Sequence, residues 1–361
     1  MPKIPLWTIA APLLGWILLA GKGTALALGF GPAYLILLTG GLLAGVLAAV
    51  HHAEVVAHRV GEPYGTLVLA AAITAIEVAL IVTLMLAGGE ATSALARDTV
   101  FATVMIILNG IVGLCLLMGG QRFKEQEFGL HGVTASLSVL AAIVVLTLIL
   151  PNFTTTVPGP FYSPGQLGFV AIVSLVLYGT FVFVQTVRHR DYFLPPNTPS
   201  DEAAHAAPPP NNVALSSAAL LLIGLSAVVL LAKAISPTIE AGVASLGAPK
   251  ELVGVIIAAI VLLPEGLAAL RAARLNRLQT SLNLALGSAL ASIGLSIPAV
   301  AIVAILNGWE VTLGIDAKST VLLMLSLIVA NLSLGTGRTT VLPGVVHLVI
   351  FSVYLFMTIF P

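Results

Sequence analysis

The sequence predicts an all-α polytopic membrane protein with about 11 transmembrane helices, arranged as two inverted five-helix repeats plus one extra N-terminal helix. Of the 361 residues, 58% are hydrophobic and only 8% are charged, whereas a soluble globular chain has about 25% charged residues. The mean hydropathy is +1.09. Apolar runs of about 20 residues, the length that crosses a bilayer, recur along the chain. A polar, proline-rich stretch divides these runs into two sets.

Eleven apolar segments are candidates for membrane-spanning helices. The first is the weakest, because Pro12 and Gly15 interrupt it and it is short. It follows Lys3 in the manner of a signal sequence, but no convincing cleavage motif comes after it, so we interpret it as an uncleaved first helix. The segments cover approximately residues 5–20, 28–50, 64–87, 99–119, 132–150, 167–187, 213–233, 251–270, 281–306, 319–335 and 341–360.

The polar stretch after the sixth segment defines the predicted organisation of the chain. It contains charged residues and several prolines, including Pro208 to Pro210, which is typical of a flexible linker. The predicted parts are an extra N-terminal helix (1–27), a first five-helix repeat (28–187), a cytoplasmic linker (188–212) and a second five-helix repeat (213–361).

The distribution of basic residues predicts the orientation. Of the fifteen Lys and Arg residues, ten fall on one side of the predicted helices and five on the other, namely Lys22, Arg97, Lys233, Lys250 and Lys318. Cytoplasmic loops carry the excess of Lys and Arg. The N-terminus is therefore predicted to be cytoplasmic and the C-terminus external.

Two acidic residues lie well inside apolar segments, Glu77 in the third and Glu265 in the eighth. Segments five apart in the count cross the membrane in opposite directions, which predicts inverted repeats of the kind found in transporters. A charge near the bilayer centre costs about 2.5–3.5 kcal/mol on insertion scales. A structural hydrogen bond could explain one such residue, but two at equivalent positions favour a functional pair.

Two buried carboxylates facing each other predict competition between metal cations and protons. Hard divalent cations prefer oxygen ligands, and calcium tolerates irregular coordination by six to eight oxygens. Without a cation, two carboxylates at low dielectric repel each other and lose solvation, so they bind protons instead. Such a pair titrates as a unit. Mutual exclusion of cation and proton at Glu77 and Glu265 is the chemistry of antiport.

Other polar residues within apolar segments are candidate ligands for the same cation. Thr74 lies one turn before Glu77 on the same helical face. Small residues of this kind also allow close helix packing, and the two interpretations remain equally open. The candidates are Thr74, Asn109, Asn283, Ser288 and Ser292.

The segments that carry the two glutamates resemble the repeats of the calcium/cation antiporter superfamily, and within it the bacterial calcium/proton antiporters of the Cha type. Residues 61–85 (GEPYGTLVLAAAITAIEVALIVTLM) are similar to the first family repeat, and residues 262–298 to the second. The run GGQRFKEQEF, residues 119–128, is similar to the segment after helix four of the vacuolar-type exchangers. The resemblance implies calcium export driven by protons across a bacterial inner membrane, and a proton-coupling role for Glu62 beside Glu77 and Glu265.

The resemblance departs from the vacuolar type immediately before each glutamate. Where that type has Gly-Asn-Ala, this chain has Ile73-Thr74-Ala75 and Val261-Leu262-Leu263, so an asparagine ligand is lost twice. The Cha-type branch is also associated with sodium/proton and potassium/proton exchange. Either monovalent ion therefore stays open as the cargo.

Two alternative functions and one cluster of histidine and glutamate residues also bear on the interpretation of the sequence. A membrane-embedded acid/base enzyme is disfavoured because the sequence shows no nucleophile, metal cluster or phosphate loop, and a non-transporting scaffold also stays open. His51, His52 and His58, with Glu54 and Glu62, end the second segment and form a pH sensor, a cation access point or a polar helix end. The predicted partners are calcium, protons and membrane lipid. No organic cofactor and no nucleic acid are implied.

Overall fold

The computed structural model describes residues 4–27, 31–61, 64–194 and 208–360. Within these ranges the chain forms eleven helices. Ten of them are long and apolar enough to cross a membrane, and the first contributes a shorter apolar stretch, Leu6–Lys22. The helices are α1 (Leu6–Ala27), α2 (Gly31–Val60), α3 (Tyr64–Gly88), α4 (Leu95–Phe123), α5 (Leu130–Phe153), α6 (Pro164–Arg188), α7 (Asn211–Ser245), α8 (Glu251–Arg274), α9 (Leu278–Asn307), α10 (Ala317–Leu334) and α11 (Val341–Ile359).

Every predicted apolar segment coincides with one of these helices, which confirms an all-α polytopic membrane protein. The outer faces carry exposed apolar side chains, as a helix in lipid requires. Phe169 and Ile172 on α6 are 67% and 61% exposed, and Leu332 on α10 is 74% exposed. Exposing so many large apolar groups to water would be unfavourable, whereas contact between these groups and acyl chains is not.

Three helices contain a π-helical turn. The turns are Ile106–Ile111 in α4, Val145–Ile149 in α5 and Val184–Arg188 in α6. A π turn inserts an extra residue into the helical hydrogen-bonding pattern and is common at functional sites. Short 3₁₀ turns cover Gly89–Thr92, Leu150–Phe153 and Arg190–Phe193.

The seventh helix differs most from its predicted range. It covers 35 residues, Asn211–Ser245, instead of 213–233, so Lys233 lies inside the helix and its assignment to an external loop was wrong. Polar contacts accompany this extension. The Lys22 ammonium donates to the Ala234 carbonyl at 3.1 Å, and Ser236 donates to the Glu240 carboxylate at 2.9 Å. A charged residue in an apolar run therefore did not mark the end of the helix.

The helices form two compact units. The first contains residues Met1–Leu84 and Ala203–Gly247, and the second contains Met85–Glu202 and Ala248–Pro361. Each unit takes helices from both sides of the proline-rich stretch, so the spatial units do not follow the predicted sequence repeats. The repeats themselves, and the cytoplasmic position of the N-terminus, stay predictions.

In the first unit, α1, α2 and α7 pack through small residues. A Cβ atom added at Gly15 would lie 3.3 Å from Ala227 Cβ, and one added at Gly45 would lie 3.1 Å from Val228 Cγ2. Glycine allows helix backbones to approach closely in a membrane, where packing rather than hydrophobicity drives association.

In the second unit, α4 is the central helix. Of its most apolar window, 83% is buried, against 22% for α11. It packs against α8, α9 and α11. On the side of α11 the approach is very close, because a Cβ atom at Gly344 would lie only 2.4 Å from the Leu117 backbone nitrogen.

A two-stranded antiparallel ladder closes one end of the second unit. Strands β1 (Gln126–Glu127) and β2 (Arg338–Thr339) pair with Gln126 opposite Thr339. The Arg338 guanidinium lies 3.1 Å from the Glu127 carboxylate and 3.9 Å from that of Glu125. The ladder thereby joins the chain that follows α4 to the chain that precedes α11.

Replacing Gly344 by alanine tests the close approach of α11 to α4. The added methyl group meets backbone atoms of Leu117, which cannot rotate away, and overpacking of this kind costs about 1–3 kcal/mol. We expect a melting temperature several degrees lower in detergent. Gly179→Ala on α6 is the matched control, because a Cβ atom there would have no neighbour within 4 Å. Equal melting temperatures for the two variants would contradict the packing described.

Candidate ion-binding site

Glu265 lies in the middle of α8 and is held by α9. The Ser288 hydroxyl on α9 donates a hydrogen bond to the Glu265 carboxylate. Glu265 and Ser288 are both partly buried. Ser292 lies one turn further along α9 and is 2% exposed, so residues four apart share that helix face. The structure therefore brings together Glu265 and Ser288, as the sequence predicts, and continues the same face of α9 to Ser292.

Two residues beside Glu265 shape its surroundings. Pro264 lies inside α8 and has no N–H group, so the carbonyl of Ile260 cannot accept its regular helical hydrogen bond. On the other side, a Cβ atom at Gly266 would lie 3.2 Å from Ile111 Cδ1. Glycine thus allows the π turn of α4 to pack against the turn of α8 that carries the carboxylate.

Glu77 lies on the buried face of α3, in the first unit. It is 4% exposed and Thr74 is 5% exposed. Ile73, Leu80 and Leu84 are also buried, and together with Glu77 they follow the spacing of one helical face. Glu77 is therefore withdrawn from acyl chains, as a functional carboxylate in a membrane must be. The sequence-based expectation that one ion contacts both Glu77 and Glu265 stays a prediction.

Asn109 occupies a different buried position, in the π turn of α4. It is 0% exposed, and its amide nitrogen donates to the Ser326 hydroxyl on α10 at 2.8 Å. Its amide oxygen lies 3.2 Å from Nδ1 of His347 on α11. Neither partner was among the predicted site residues, and His347 is buried at 0% exposure.

The donors in this cluster can be assigned one by one. The Ser326 hydroxyl donates to the Leu322 carbonyl at 2.7 Å, so its oxygen accepts from Asn109. The Asn109 oxygen then accepts from His347, which places the proton on Nδ1. Because each donor has an acceptor within the cluster, we interpret Asn109 as a residue that joins α4, α10 and α11, and its role as a cation ligand stays a prediction.

Asn283 is also used within the protein. Its amide nitrogen donates to the Phe193 carbonyl at 2.6 Å, and its oxygen accepts from Gln279 at 2.9 Å. Gln279 in turn accepts from the Gly129 backbone N–H at 2.5 Å. These contacts join the first turns of α9 to the segments around residues 129 and 193. The structure thus shows Asn283 in contacts other than the one between Glu265 and Ser288, and its role as a cation ligand stays a prediction.

The histidines at the end of α2 have structural contacts within the first unit. Nε2 of His52 lies 3.0 Å from the Thr8 carbonyl on α1. The His51 ring packs 6.0 Å from Trp7 and 5.7 Å from the His52 ring, measured between centroids. His58 is exposed. Glu62, the third predicted proton-coupling residue, lies outside the described residues.

The second unit also contains a polar cavity of about 280 Å³ that the sequence did not indicate. It is lined by side chains of both charges, and the Arg97 guanidinium is bound to the Asp98 carboxylate at 2.8 Å. The other charged residues at its wall are Glu251, Asp316 and Lys318. No sequence motif links these residues, which come from the first turns of three helices and one connection.

The fold agrees with comparisons to known proteins. The family model described as sodium/calcium exchanger protein matches residues 30–187 and 216–360. The two matched segments lie on either side of the proline-rich stretch and together cover most of the chain.

Three known proteins illustrate the similarity. The chain is 48% identical over 360 residues to y4hA of Sinorhizobium fredii (strain NBRC 101917 / NGR234), covering 99% of this chain and 97% of that protein. It is 36% identical over 322 residues to the sodium-potassium/proton antiporter ChaA of Escherichia coli (strain K12), covering 89% and 87%. The crystal structure of the H+/Ca2+ exchanger CAX superposes with a TM-score of 0.67 at 17% identity, covering 95% of this chain and 88% of that one.

The structural similarity at 17% identity supports the fold. The sequence matches support common ancestry with the matched family. The family match covers both halves of the chain and includes the helices that carry Glu77 and Glu265. The chain therefore belongs to the sodium/calcium exchanger protein family.

Proposed function

We propose that this protein is a cation/proton antiporter in which Glu77 and Glu265 bind the metal cation and protons in alternation. The observation that carries the proposal is the position of two carboxylates, one buried and one partly buried, within membrane-spanning helices. Glu77 is 4% exposed, and Glu265 accepts a hydrogen bond from Ser288. Family membership supports transport rather than acid/base enzymology, since the family is one of exchangers.

The exchange follows from the energetics of a carboxylate at low dielectric. An uncompensated charge there is unfavourable by several kcal/mol. A bound cation or a bound proton each relieves it, but the same oxygen cannot hold both at once. Cation release therefore favours protonation, and deprotonation favours cation binding. Ser288 and Ser292 add neutral oxygens that bind a cation without neutralising the carboxylate, and Thr74 does the same beside Glu77.

Calcium is the first candidate cargo, because two carboxylates match the charge of a divalent cation. Sodium or potassium is the second candidate. The E. coli relative named as a sodium-potassium/proton antiporter supports it. Thr74 and Leu262, which stand where vacuolar-type exchangers have asparagine, support it as well, since fewer strong ligands suit a monovalent ion.

The remaining features of the proposal come from the sequence. We propose a bacterial inner-membrane location, a cytoplasmic N-terminus and export of the cation at the expense of the proton gradient. Glu62 stays a candidate for proton coupling because of the resemblance of residues 61–85 to the family repeat. Transport as proposed requires no organic cofactor.

Replacing either glutamate by glutamine tests the role of the carboxylates. Glutamine keeps the shape but can neither release a proton nor carry the charge that attracts a cation. In proteoliposomes with an entrapped pH dye, we expect Glu77→Gln and Glu265→Gln each to reduce cation-dependent proton movement to the level of empty vesicles. Glu127→Gln, at an exposed residue paired with Arg338, is the control and should stay active. Transport retained by either Glu77→Gln or Glu265→Gln at wild-type protein levels would refute the proposal.

Replacing Ser288 by alanine tests the partner of Glu265. A hydrogen bond to a charged group contributes about 1.5–3 kcal/mol, so its loss should raise the half-saturating cation concentration by about tenfold while leaving some transport. Ser352→Ala is the matched control, because Ser352 is exposed on α11 and donates only to the Leu348 carbonyl of its own helix. Unchanged half-saturation in Ser288→Ala would remove α9 from the site.

The identity of the cargo is tested by comparing chloride salts of calcium, sodium and potassium in the same vesicles under one imposed pH gradient. We expect calcium to give the largest proton movement because of the charge match. A response to sodium or potassium with none to calcium would replace the first candidate by the second. No response to any of the three would contradict antiport altogether.

A further inference from the structure

The exposed face of α8 changes from apolar to basic along its length. Leu263 and Leu267 are 39% and 42% exposed, and Leu275 is 66% exposed. Arg271 and Arg274 are exposed between them. At 100° per residue, Leu263, Leu267 and Arg274 lie within about 40° of one another around the helix, with Arg271 beside them. The apolar surface formed by the two leucines therefore borders directly on the basic surface formed by the two arginines.

The opposite face of α8 is packed inside the second unit. Ala269 and Ala273 are 0% exposed and pack with Cys115 of α4. Glu265 lies two residues from both Leu263 and Leu267, which places it about 160–200° away from them around the helix. The face with the leucines and arginines therefore points away from the carboxylate proposed to bind the ion.

The arginines at this end of α8 have no acidic partner in the described part of the chain. Within residues 4–27, 31–61, 64–194 and 208–360, no carboxylate oxygen lies within 4.0 Å of Arg271, Arg274 or Arg277. The neighbouring loop does contain Glu125 and Glu127, but both lie against Arg338 at 3.9 and 3.1 Å.

That loop is attached to the end of α8. The Gln126 amide donates to the Asn276 side chain at 2.8 Å and to the Ala273 carbonyl at 3.3 Å. The attachment brings the exposed basic residues Arg122 and Lys124 to the same end of the second unit. Positive charge is therefore concentrated there and not balanced locally, although a helix C-terminus favours cationic residues in any case.

We propose that this face of α8 binds an anionic phospholipid. The headgroup phosphate contacts Arg271 and Arg274, and an acyl chain lies along Leu263 and Leu267. Guanidinium groups bind phosphate oxygens in a bidentate manner, which suits a fixed lipid site better than a diffuse attraction. The apolar residues begin about 10 Å along the helix from Arg274, so the headgroup and an acyl chain of one lipid reach both. Charge complementarity selects anionic over zwitterionic lipid.

The consequence for transport rests on the function proposed above, whereas the binding does not. Because α8 carries Glu265 on its other face, a lipid at this site resists displacement of the helix relative to the bilayer. Antiport in vesicles containing phosphatidylglycerol should then differ from antiport in phosphatidylcholine alone, and this difference should depend on Arg271 and Arg274.

The test compares the wild type with variants of the detergent-purified full chain. Native mass spectrometry measures how much phosphatidylglycerol stays bound to each. Arg271→Gln/Arg274→Gln should retain about tenfold less lipid than the wild type. Arg188→Gln/Arg190→Gln, which removes two exposed charges from the end of α6 and the turn after it, is the matched control and should bind as the wild type does. An equal loss in both double variants would indicate general surface charge and overturn the site.

Three further measurements complete the test. Leu267→Gln keeps the charges and should also lower lipid retention, whereas unchanged retention would overturn the acyl-chain contact. Inorganic phosphate in place of the lipid should not raise the melting temperature as phosphatidylglycerol does, and an equal rise would indicate an anion site instead. The Glu265→Gln variant should bind lipid as the wild type does, although we expect it not to transport. The proposed lipid site and the proposed antiport can therefore be refuted independently of each other.

Discussion

A carboxylate inside the hydrocarbon region must be neutralised, and the nature of its partner decides what the protein can do. At the polar cavity, in the first turn of α4, Asp98 is bound to the Arg97 guanidinium at 2.8 Å, a partner that is part of the chain and cannot leave. Glu265 is bound by Ser288, whose hydroxyl orients the carboxylate without cancelling its charge. We propose that a mobile ion neutralises this carboxylate during transport, and exchange of one mobile ion for another is antiport.

The buried amide of Asn109, in contrast, has its hydrogen-bond partners within the protein. Each polar group of its cluster accepts or donates within the second unit, from His347 through Asn109 and Ser326 to the Leu322 carbonyl. Such interhelical hydrogen bonds stabilise membrane helices by about 1 kcal/mol each. The cluster fixes the π turn of α4, and the same turn packs Ile111 against Gly266 beside Glu265. Polar groups that bond to one another thereby hold in place the helix that carries Glu265.

The sequence was sufficient for features that depend on composition along the chain. Each of the eleven apolar segments became a helix, and Glu77 and Glu265 stood out because a carboxylate in an apolar run is costly wherever the helix packs. The sequence did not reveal contacts between residues distant along the chain. Asn109 and Asn283 stay candidate ligands, but their hydrogen-bond partners on α10, α11 and residue 193 became apparent only after folding. The prediction that Lys233 lies in an external loop was wrong for a related reason. A long side chain can extend along its helix to a polar partner or to the interface.

Features that depend on backbone geometry were also inaccessible from the pattern of residues. The π turns keep the apolar composition of their helices, and the ladder of Gln126–Glu127 with Arg338–Thr339 joins segments more than two hundred residues apart. That ladder has an electrostatic effect beyond its length, because Arg338 engages the carboxylates of Glu125 and Glu127 in the loop attached to the end of α8. Within the described residues, the arginines of α8 have no acidic partner. One helix thus carries the carboxylate proposed to bind the ion on its inner face and arginines without an acidic partner on its outer face. Any lipid that fixes the outer face also limits how far the inner carboxylate can move during exchange.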